Sequence, residues 1–474
     1  MKDTMERERK LSVDDDFTLP PLQVETIPRQ LRATYYDTGD LRLARYGVTL
    51  RRRFEDGHPL WQLKLPADGD RLEIEIDSPS AEIPDELARL VTAFVRGGEL
   101  KPLAELHTLR RAVRIAAGGK TVAEVVHDTV QVHEDGRFIR SFSEVEIEQL
   151  EDGSEADLEQ LERYLLKSGA RPGDGRPKVF QALDLPAPDG DRARRGAPAI
   201  DHLAAYLRAQ LHALVLADPL TRRGDIEGVH DMRVATRRMR SALREGRKLL
   251  DPKWVKETRD ELKWLGSVLG DVRDFDVFSG YVHTQVADLG PESEAGGAEL
   301  ERLIQERSQP ARARLAETLD SERYIALLDR LEAGYSDLPA SASPGVTLEK
   351  LVRKAARRGR QALHGVTASS RDEELHDLRL AAKRARYAAE LARRAIGRDA
   401  KQLATRAADL QGLLGDHQDT VVAEDRLLEI GPHGSPAAAF VAGRLLERER
   451  ARRGDARAQL HETARRFAAA ARRF

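Results

Sequence analysis

One stretch of this chain occurs twice, and few folds accommodate that. Val229–Arg244 reads VHDMRVATRRMRSALR, and Leu375–Arg386 repeats it as LHDLRLAAKRAR, with His376 standing 146 positions after His230. Arg233 corresponds to Arg379, Arg237 to Lys383, Arg238 to Arg384 and Arg240 to Arg386. At about 100° per residue, His230, Arg233, Arg237, Arg240 and Arg244 share one stripe of a helix, as do His376, Arg379, Lys383 and Arg386. Acids are nearly absent from the stripe, and each like-charge pair at i,i+4 costs roughly 0.2–0.5 kcal/mol. A charge run is ordinarily a solvated face. Repetition of this penalty at matched positions points instead to an anionic partner.

A second motif repeats at nearly the same offset. Leu265–Asp276 (LGSVLGDVRDFD) matches Leu410–Val421 (LQGLLGDHQDTV), so Asp271 corresponds to Asp416 and Asp274 to Asp419. Following Gly, these aspartates are expected to cap helices or orient arginines rather than bind metal. Periodicity from residue 200 onward is helical, and the break at Ser336–Val346 separates two halves. The expectation is an all-α domain over 200–474, made of two pseudo-repeated bundles at 200–335 and 347–474. Residues 186–199, rich in Pro, Gly and charge, read as a linker.

The net charge of −2 hides an asymmetry. Residues 1–200 carry 30 Lys+Arg against 38 Asp+Glu, and residues 201–474 carry 48 against 42, so any anion site must be local. Absence of Cys excludes disulfides, zinc–thiolate sites and thiol nucleophiles. The N-terminus MKDTMERERK lacks an apolar signal region, and no run approaches the ~18 apolar residues of a membrane span. A cytoplasmic protein is expected.

Residues 1–185 alternate with period two. Glu6, Glu8 and Lys10 share a face, as do Arg51 and Arg53, Gln62 and Lys64, Arg71, Glu73 and Glu75, and Glu144, Glu146 and Glu148. The opposite faces are apolar: Leu63 and Leu65, then Leu72, Ile74 and Ile76, then Val145 and Ile147. Helical patterns interrupt near Asp85–Arg96 and Glu155–Ser168. Such alternation normally means one face in water. Acid-rich and base-rich faces together suggest instead a lining for Mg2+ and a polyanionic phosphate.

These motifs resemble the CYTH family of triphosphate tunnel enzymes. The resemblance rests on Glu6-Arg7-Glu8-Arg9-Lys10 (ExExK), YYDT at Tyr35–Thr38, LRRR at Leu50–Arg53, WQLKLP at Trp61–Pro66, RLEIEI at Arg71–Ile76 and EVEIEQL at Glu144–Leu150. It implies an antiparallel eight-stranded β-barrel, making the whole chain an α+β multidomain protein. It further implies that Glu6, Glu8, Glu146 and Glu148 bind Mg2+ (or Mn2+). Lys10, Arg51, Arg53, Lys64 and Arg111 would grip phosphate oxygens, with Glu73 and Glu75 at acidic tunnel positions and Asp128 on a later strand. Lys178 stands where the family often has a Ser-Lys pair, but Pro177 replaces the Ser. Lys178 could still reach phosphate.

The helical half, by its two HDxR helices and two LGD motifs, resembles the CHAD domain, a family associated with inorganic polyphosphate. By that resemblance His230, Arg233, Arg237, Arg240, His376, Arg379, Lys383 and Arg386 would line a basic groove. Arg208 and His212, with Arg357 and Arg360 in the corresponding helix, are further candidates. The expected function is metal-dependent hydrolysis of inorganic triphosphate or a related triphosphate end, joined to polyphosphate binding that would deliver polyphosphate or place the protein on polyphosphate granules. The rivals are a non-catalytic polyphosphate scaffold and adenylate cyclase chemistry. Nucleic acid and membrane partners are not expected.

Overall fold

The computed structural model describes residues 2–20, 22, 28–55, 57–67, 69–186, 193–341 and 346–474. The chain forms two compact units, Met1–Asp189 and Gly190–Phe474. Residues 187–192 of the expected linker lie outside those described.

The first unit is one antiparallel sheet. Its strands are β1 (Lys2–Glu6), β2 (Glu8–Val13), β3 (Arg29–Asp37), β4 (Thr49–Glu55), β5 (His58–Ala67), β6 (Asp70–Asp77), β7 (Lys101–Ala117), β8 (Lys120–Glu134), β9 (Arg137–Gln149) and β10 (Arg171–Pro172). They run in the order β1-β6-β5-β4-β3-β7-β8-β9-β2-β10. The closed eight-stranded barrel is therefore corrected to an open ten-stranded sheet. The reason lies at Arg7, which breaks the N-terminal strand in two. The half before it pairs with β6, the half after it pairs with β9, and the two-residue β10 adds to β2.

The period-two pattern is inverted relative to a half-solvated sheet. The apolar set on the sheet's convex side packs under a helix: Leu11, Val13, Val125, Val145 and Ile147 form a core with Leu158 and Leu165 of α4. In chain order the helices of this unit are α1 (Arg42–Arg45), α2 (Asp85–Leu90), α3 (Thr92–Val95), α4 (Glu155–Lys167) and α5 (Lys178–Ala182). Ser154 caps α4 in a capping box with Asp157. The charged set faces the concave side and lines one cavity. At one end of that concave side α5 buries Val179 and Phe180 against Ala33, Tyr35, Leu106 and Val130. This seats Lys178 inside.

The second unit is helical: α6 (Ala199–Arg222), α7 (Ile226–Glu245), α8 (Pro252–Ala287), α9 (Glu294–Leu319), α10 (Glu322–Ser336), α11 (Leu348–Ala362), α12 (Asp372–Ile396), α13 (Arg398–Ile430) and α14 (Pro436–Ala471). The duplicated basic stretches form α7 and α12, and the LGD motifs lie within α8 and α13. Met232, Ala235, Thr236 and Met239 make the buried face of α7, leaving the basic stripe half-exposed. The two halves share a core rather than standing apart: Val282 and Val286 of α8 and Leu300 and Ile304 of α9 pack with Leu427 of α13 and Val441 and Leu445 of α14. Among the described residues no helix is long and apolar enough to cross a membrane.

Candidate active site and anion-binding groove

The cavity of the first unit has a volume of about 230 Å3 and takes side chains from nine strands and from α5. Alternation places Glu6, Glu8, Lys10, Arg51, Arg53, Lys64, Glu73, Glu75, Glu146 and Glu148 in its lining, and α5 adds Lys178. Arg111 is the exception. Arg110 lines the cavity and Arg111 is exposed on the other face. In the β7–β8 ladder Arg110 stands opposite Asp128 and Arg111 opposite His127, and a shift of one residue exchanges the faces.

Nearly every cation here has a carboxylate partner. The Lys178 ammonium lies 3.1 Å from Asp128, 2.6 Å from Glu144 and 2.6 Å from Glu146. Lys10 pairs with Glu146 and lies 3.4 Å from Glu8. Lys64 lies 2.6 Å from Glu6, and Arg110 donates to Asp128 at 3.0 and 2.8 Å. Burial opposes ionisation of Glu146, but Lys10, Lys178 and Arg110 outweigh it and hold the carboxyl well below its ordinary range. Glu146 thus anchors lysines, whereas the notion of a shared metal set had grouped it with Glu6, Glu8 and Glu148.

Two carboxylate triads have oxygens within 4.8 Å of one another: Glu6, Glu8 and Glu148, and Asp128, Glu144 and Glu146. The second triad already surrounds the Lys178 ammonium. The first is less compensated. Glu148 is pushed up to about 7, by burial first and then by Glu146 and Glu6, against the pull of Arg110 and Lys64. Lys64 faces Glu6, Lys10 and Arg71 face Glu8, and Arg110 lies 4.0 Å from Glu148, but an all-oxygen set still fits a hard divalent cation such as Mg2+ or Mn2+.

Gln62, Tyr35 and Arg71, which the sequence placed on strand faces or in a motif without a site role, also line the cavity. Gln62 accepts from Arg51 Nε at 2.7 Å and donates to Glu73 and Glu75, while Arg51 Nη1 donates to the Tyr35 hydroxyl at 2.9 Å. Arg51 is fixed in a polar frame as a result. Arg71 lies 3.7 Å from Glu8. Arg53 is different: burial and then Arg51 lower its pKa, and its Nε is buried without a partner. Its Nη2 pairs with Glu55 at 3.0 Å, so only the Nε is left to find a partner, and Gln62 was visible in sequence only as a neighbour of Lys64 on one strand face.

In the second unit α7 and α12 bring their stripes together. Lys383 is pushed down to about 8, by burial first and then by Arg379, Arg237 and Arg233. Arg379 is lowered by burial, with Arg237 and Arg233 adding to it and Asp419 opposing. Among the described residues Arg237, Arg379 and Lys383 make no ion pair, and Nε of Arg237 and of Arg379 is buried without a partner. The LGD glycines lie against these arginines, more tightly at Gly415 than at Gly270. A Cβ at Gly270 would sit 3.7 Å from Arg233 Nη2, and one at Gly415 would sit 3.3 Å from Arg379 Nη2. Glycine inside a helix costs about 1 kcal/mol relative to Ala, and here it lets an arginine lie along the neighbouring helix.

The LGD aspartates do not cap helices, since both motifs lie inside long ones. They orient arginines: Asp274 lies 3.1 Å from Arg233, and Asp271 pairs with Arg314. Arg386 is bound by Glu390 at 2.7 Å. His230 is half-buried, with its pKa lowered by burial and then Arg273, whereas His376 is exposed. Arg208 donates to the Tyr335 carbonyl at 2.6 Å and Arg360 to that of Ala471, so each ties the last helix of its own half. Burial lowers the pKa of His212, and Arg357 is exposed.

A sheet curled around a balanced charged cavity, followed by duplicated basic helices, defines a class of two-domain chain. The CYTH domain model matches residues 4–175 and the CHAD domain model residues 205–428. The chain belongs to the family that joins these two domains, together with an uncharacterized protein found in two strains of Mycobacterium tuberculosis. That relative is 33% identical over 487 residues, covering 94% of this chain and 93% of its own. Among solved structures, PptA from Streptomyces chartreusis is 24% identical with a TM-score of 0.44, covering 58% of this chain and 99% of its own. The CHAD domain from the plant Ricinus communis is 24% identical with a TM-score of 0.46, covering 60% and 96%. A Pyrococcus horikoshii protein is 20% identical with a TM-score of 0.25, covering 38% and 96%.

Proposed function

We propose that the first unit hydrolyses inorganic triphosphate, or a related triphosphate end, with a divalent metal, and that the second unit binds inorganic polyphosphate. One observation carries the catalytic reading: the Glu6, Glu8 and Glu148 oxygens, within 4.8 Å of one another, share a cavity with Arg51, Arg53, Lys64 and Arg110. Members of the CYTH family bind triphosphates, depend on metal and are often phosphoanhydride hydrolases or cyclases, which fits this lining.

Hydrolysis breaks one P–O–P bridge, with water supplying the new P–O bond and the leaving phosphate taking the electron pair. A divalent cation held by Glu6, Glu8 and Glu148 supplies charge neutralisation and Lewis acidity at phosphate oxygens. The protein's own part is positioning and electrostatics. Arg53, whose buried Nε has no partner while Nη2 pairs with Glu55, takes a phosphate oxygen. Arg51, framed by Gln62 and Tyr35, presents its fork without reorganising. Arg110 and Lys64 offset charge on the leaving group. Lys10 and Lys178 keep the surrounding carboxylates ionised and in place.

Pure protein incubated with triphosphate, ATP and long-chain polyphosphate, with and without Mg2+ or Mn2+, tests this. Metal-dependent conversion of triphosphate to pyrophosphate and phosphate is expected. Cyclic AMP from ATP would establish the cyclase reading, and polyphosphate binding with no turnover would establish the scaffold. Polyphosphate affinity should fall in Arg233→Ala with Arg379→Ala, and should decline steeply with salt. Localisation at polyphosphate granules is the corresponding cellular expectation.

A further inference from the structure

The two copies of the basic helix part company at one position. Arg244 ends the stripe on α7, whereas the matching position on α12, 146 residues on, is Glu390. Glu390 lies 2.7 Å from Arg386 and 3.9 Å from Arg238, and accepts from the Tyr206 hydroxyl at 3.3 Å. At this end the α12 wall is neutralised.

On the α7 wall Arg244 pairs with Glu245 at 2.9 Å, but the helix keeps an excess of basic residues. Among the described residues Arg240 makes no ion pair, and Arg259 of α8 has its Nε buried without a partner. Past the end of α7, Arg247 donates to the Arg244 carbonyl at 3.0 Å and stands exposed beside Lys248. That turn is pinned to the segment leading into α11. Asp251 N donates to Pro339 O at 2.8 Å, Ser341 N donates to Leu249 O at 2.9 Å, and Leu250 bridges to Ala340. On α11, Lys354 is lowered first by Arg358 and also by Lys248 and Arg247, so turn and helix share one field. Glu245 and Asp260 are the acids acting on this group, too few to balance it. Solvated faces usually interleave both signs, and this one does not.

We propose that an extended polyphosphate chain leaves the groove at this end, running from Arg240 over Arg259, Arg247 and Lys248 to Lys354 and Arg358 on α11. The proposal rests on polyphosphate binding by the helical unit. From Arg233 to Arg244 the α7 wall spans roughly 16 Å at 1.5 Å per residue, so a short oligophosphate fills the groove without touching the outer track. Only a long chain uses both.

The test compares octaphosphate with long-chain polyphosphate on the full chain and on Arg259→Gln/Lys248→Gln/Lys354→Gln, with far-UV circular dichroism confirming that the variant folds. Long-chain affinity should fall about tenfold, and the slope of log K against log salt should drop by about two to three, one per lost phosphate contact. Octaphosphate affinity should hold within about twofold, the spread expected where no contact is lost. Equal losses for both ligands, or no loss for either, overturn the track. Wild-type protein that binds neither ligand would instead sink the underlying reading. Arg233→Ala with Arg379→Ala, which strips the groove itself, should weaken both ligands and so separates the two failures.

Discussion

The cavity and the groove both present arginine and lysine to phosphate, yet they are built on opposite electrostatic plans. In the cavity, Lys178, Lys10, Lys64 and Arg110 each rest within 2.6–3.4 Å of a carboxylate or closer, and the lining is nearly neutral when empty. In the groove, Arg237, Arg379 and Lys383 have mainly one another for charged neighbours, with Asp419 opposing, and the lysine's charge is held only weakly. A neutral lining binds its anion by exchanging partners and lets product go. An uncompensated one gains its missing counter-charge from the ligand and holds on. Pairing suits turnover, and lack of pairing suits retention.

The sharpest way to break this contrast is at the carboxylates. Glu6→Ala or Glu8→Ala should lower kcat/KM for triphosphate by about a thousandfold, equivalent to about 4 kcal/mol, while leaving polyphosphate binding by the helical unit intact. Chelation with EDTA should reproduce the loss in the wild type. Activity within tenfold of wild type in both variants would mean that these oxygens hold no essential cation.

Next in size is Arg110 against Arg111. Arg110→Ala removes one partner of the fully buried Asp128, leaving Lys178 to serve it alone. A loss of about 3 kcal/mol, the lower end for breaking a buried pair, is expected together with lost activity. Arg111→Ala should change stability by less than about 0.5 kcal/mol, as an exposed substitution does. Thermal melts and triphosphate turnover of the two variants decide it, and the reverse ranking would overturn the register.

This pair also marks how far sequence can reach. Period-two alternation was enough to put Lys64, Glu73 and Glu75 on one face, because each has an apolar residue on either side, whereas Glu6, Glu8 and Lys10, interleaved with Arg7 and Arg9, were legible only through the ExExK spacing. Between Arg110 and Arg111 it has no purchase, since both are basic and only the partner strand tells them apart. The same limit hid the break at Arg7: a single residue between two ladders leaves no trace in an otherwise continuous strand pattern. On the helical side duplication revealed the stripes, and the LGD motif was visible. Its meaning was not, because a glycine placed to admit an arginine from another helix is a tertiary fact. Arg208 and Arg360, which sequence offered as ligands, turn their guanidinium groups to backbone carbonyls for the same reason.

On the groove side the contrast predicts the opposite stability sign. Arg237→Gln with Arg379→Gln removes mutual repulsion and strands no carboxylate as deeply as Asp128, so the melting temperature should hold or rise. Polyphosphate affinity should nevertheless fall about tenfold or more at moderate salt, with a shallower salt slope. A drop in melting temperature like that of Arg110→Ala would show that the groove cations are structural.

The smallest effect is the most discriminating, because one side chain should move two observables in opposite directions. Burial and the charges of Arg379, Arg237 and Arg233 push Lys383 down to about 8, from 10.5 in the unfolded chain. Between these values the unfolded state binds more protons than the folded one, so this group's contribution to stability rises with pH across about 8 to 10.5. Polyphosphate needs the ammonium, and binding raises its pKa. Affinity should therefore fall as pH climbs past about 8, by a few-fold, with proton uptake visible as a buffer-dependent binding enthalpy. Lys383→Arg keeps the charge throughout and should flatten that pH dependence while preserving binding. If wild type and Lys383→Arg respond alike to pH, Lys383 does not meet the ligand, and the groove floor belongs to the arginines alone.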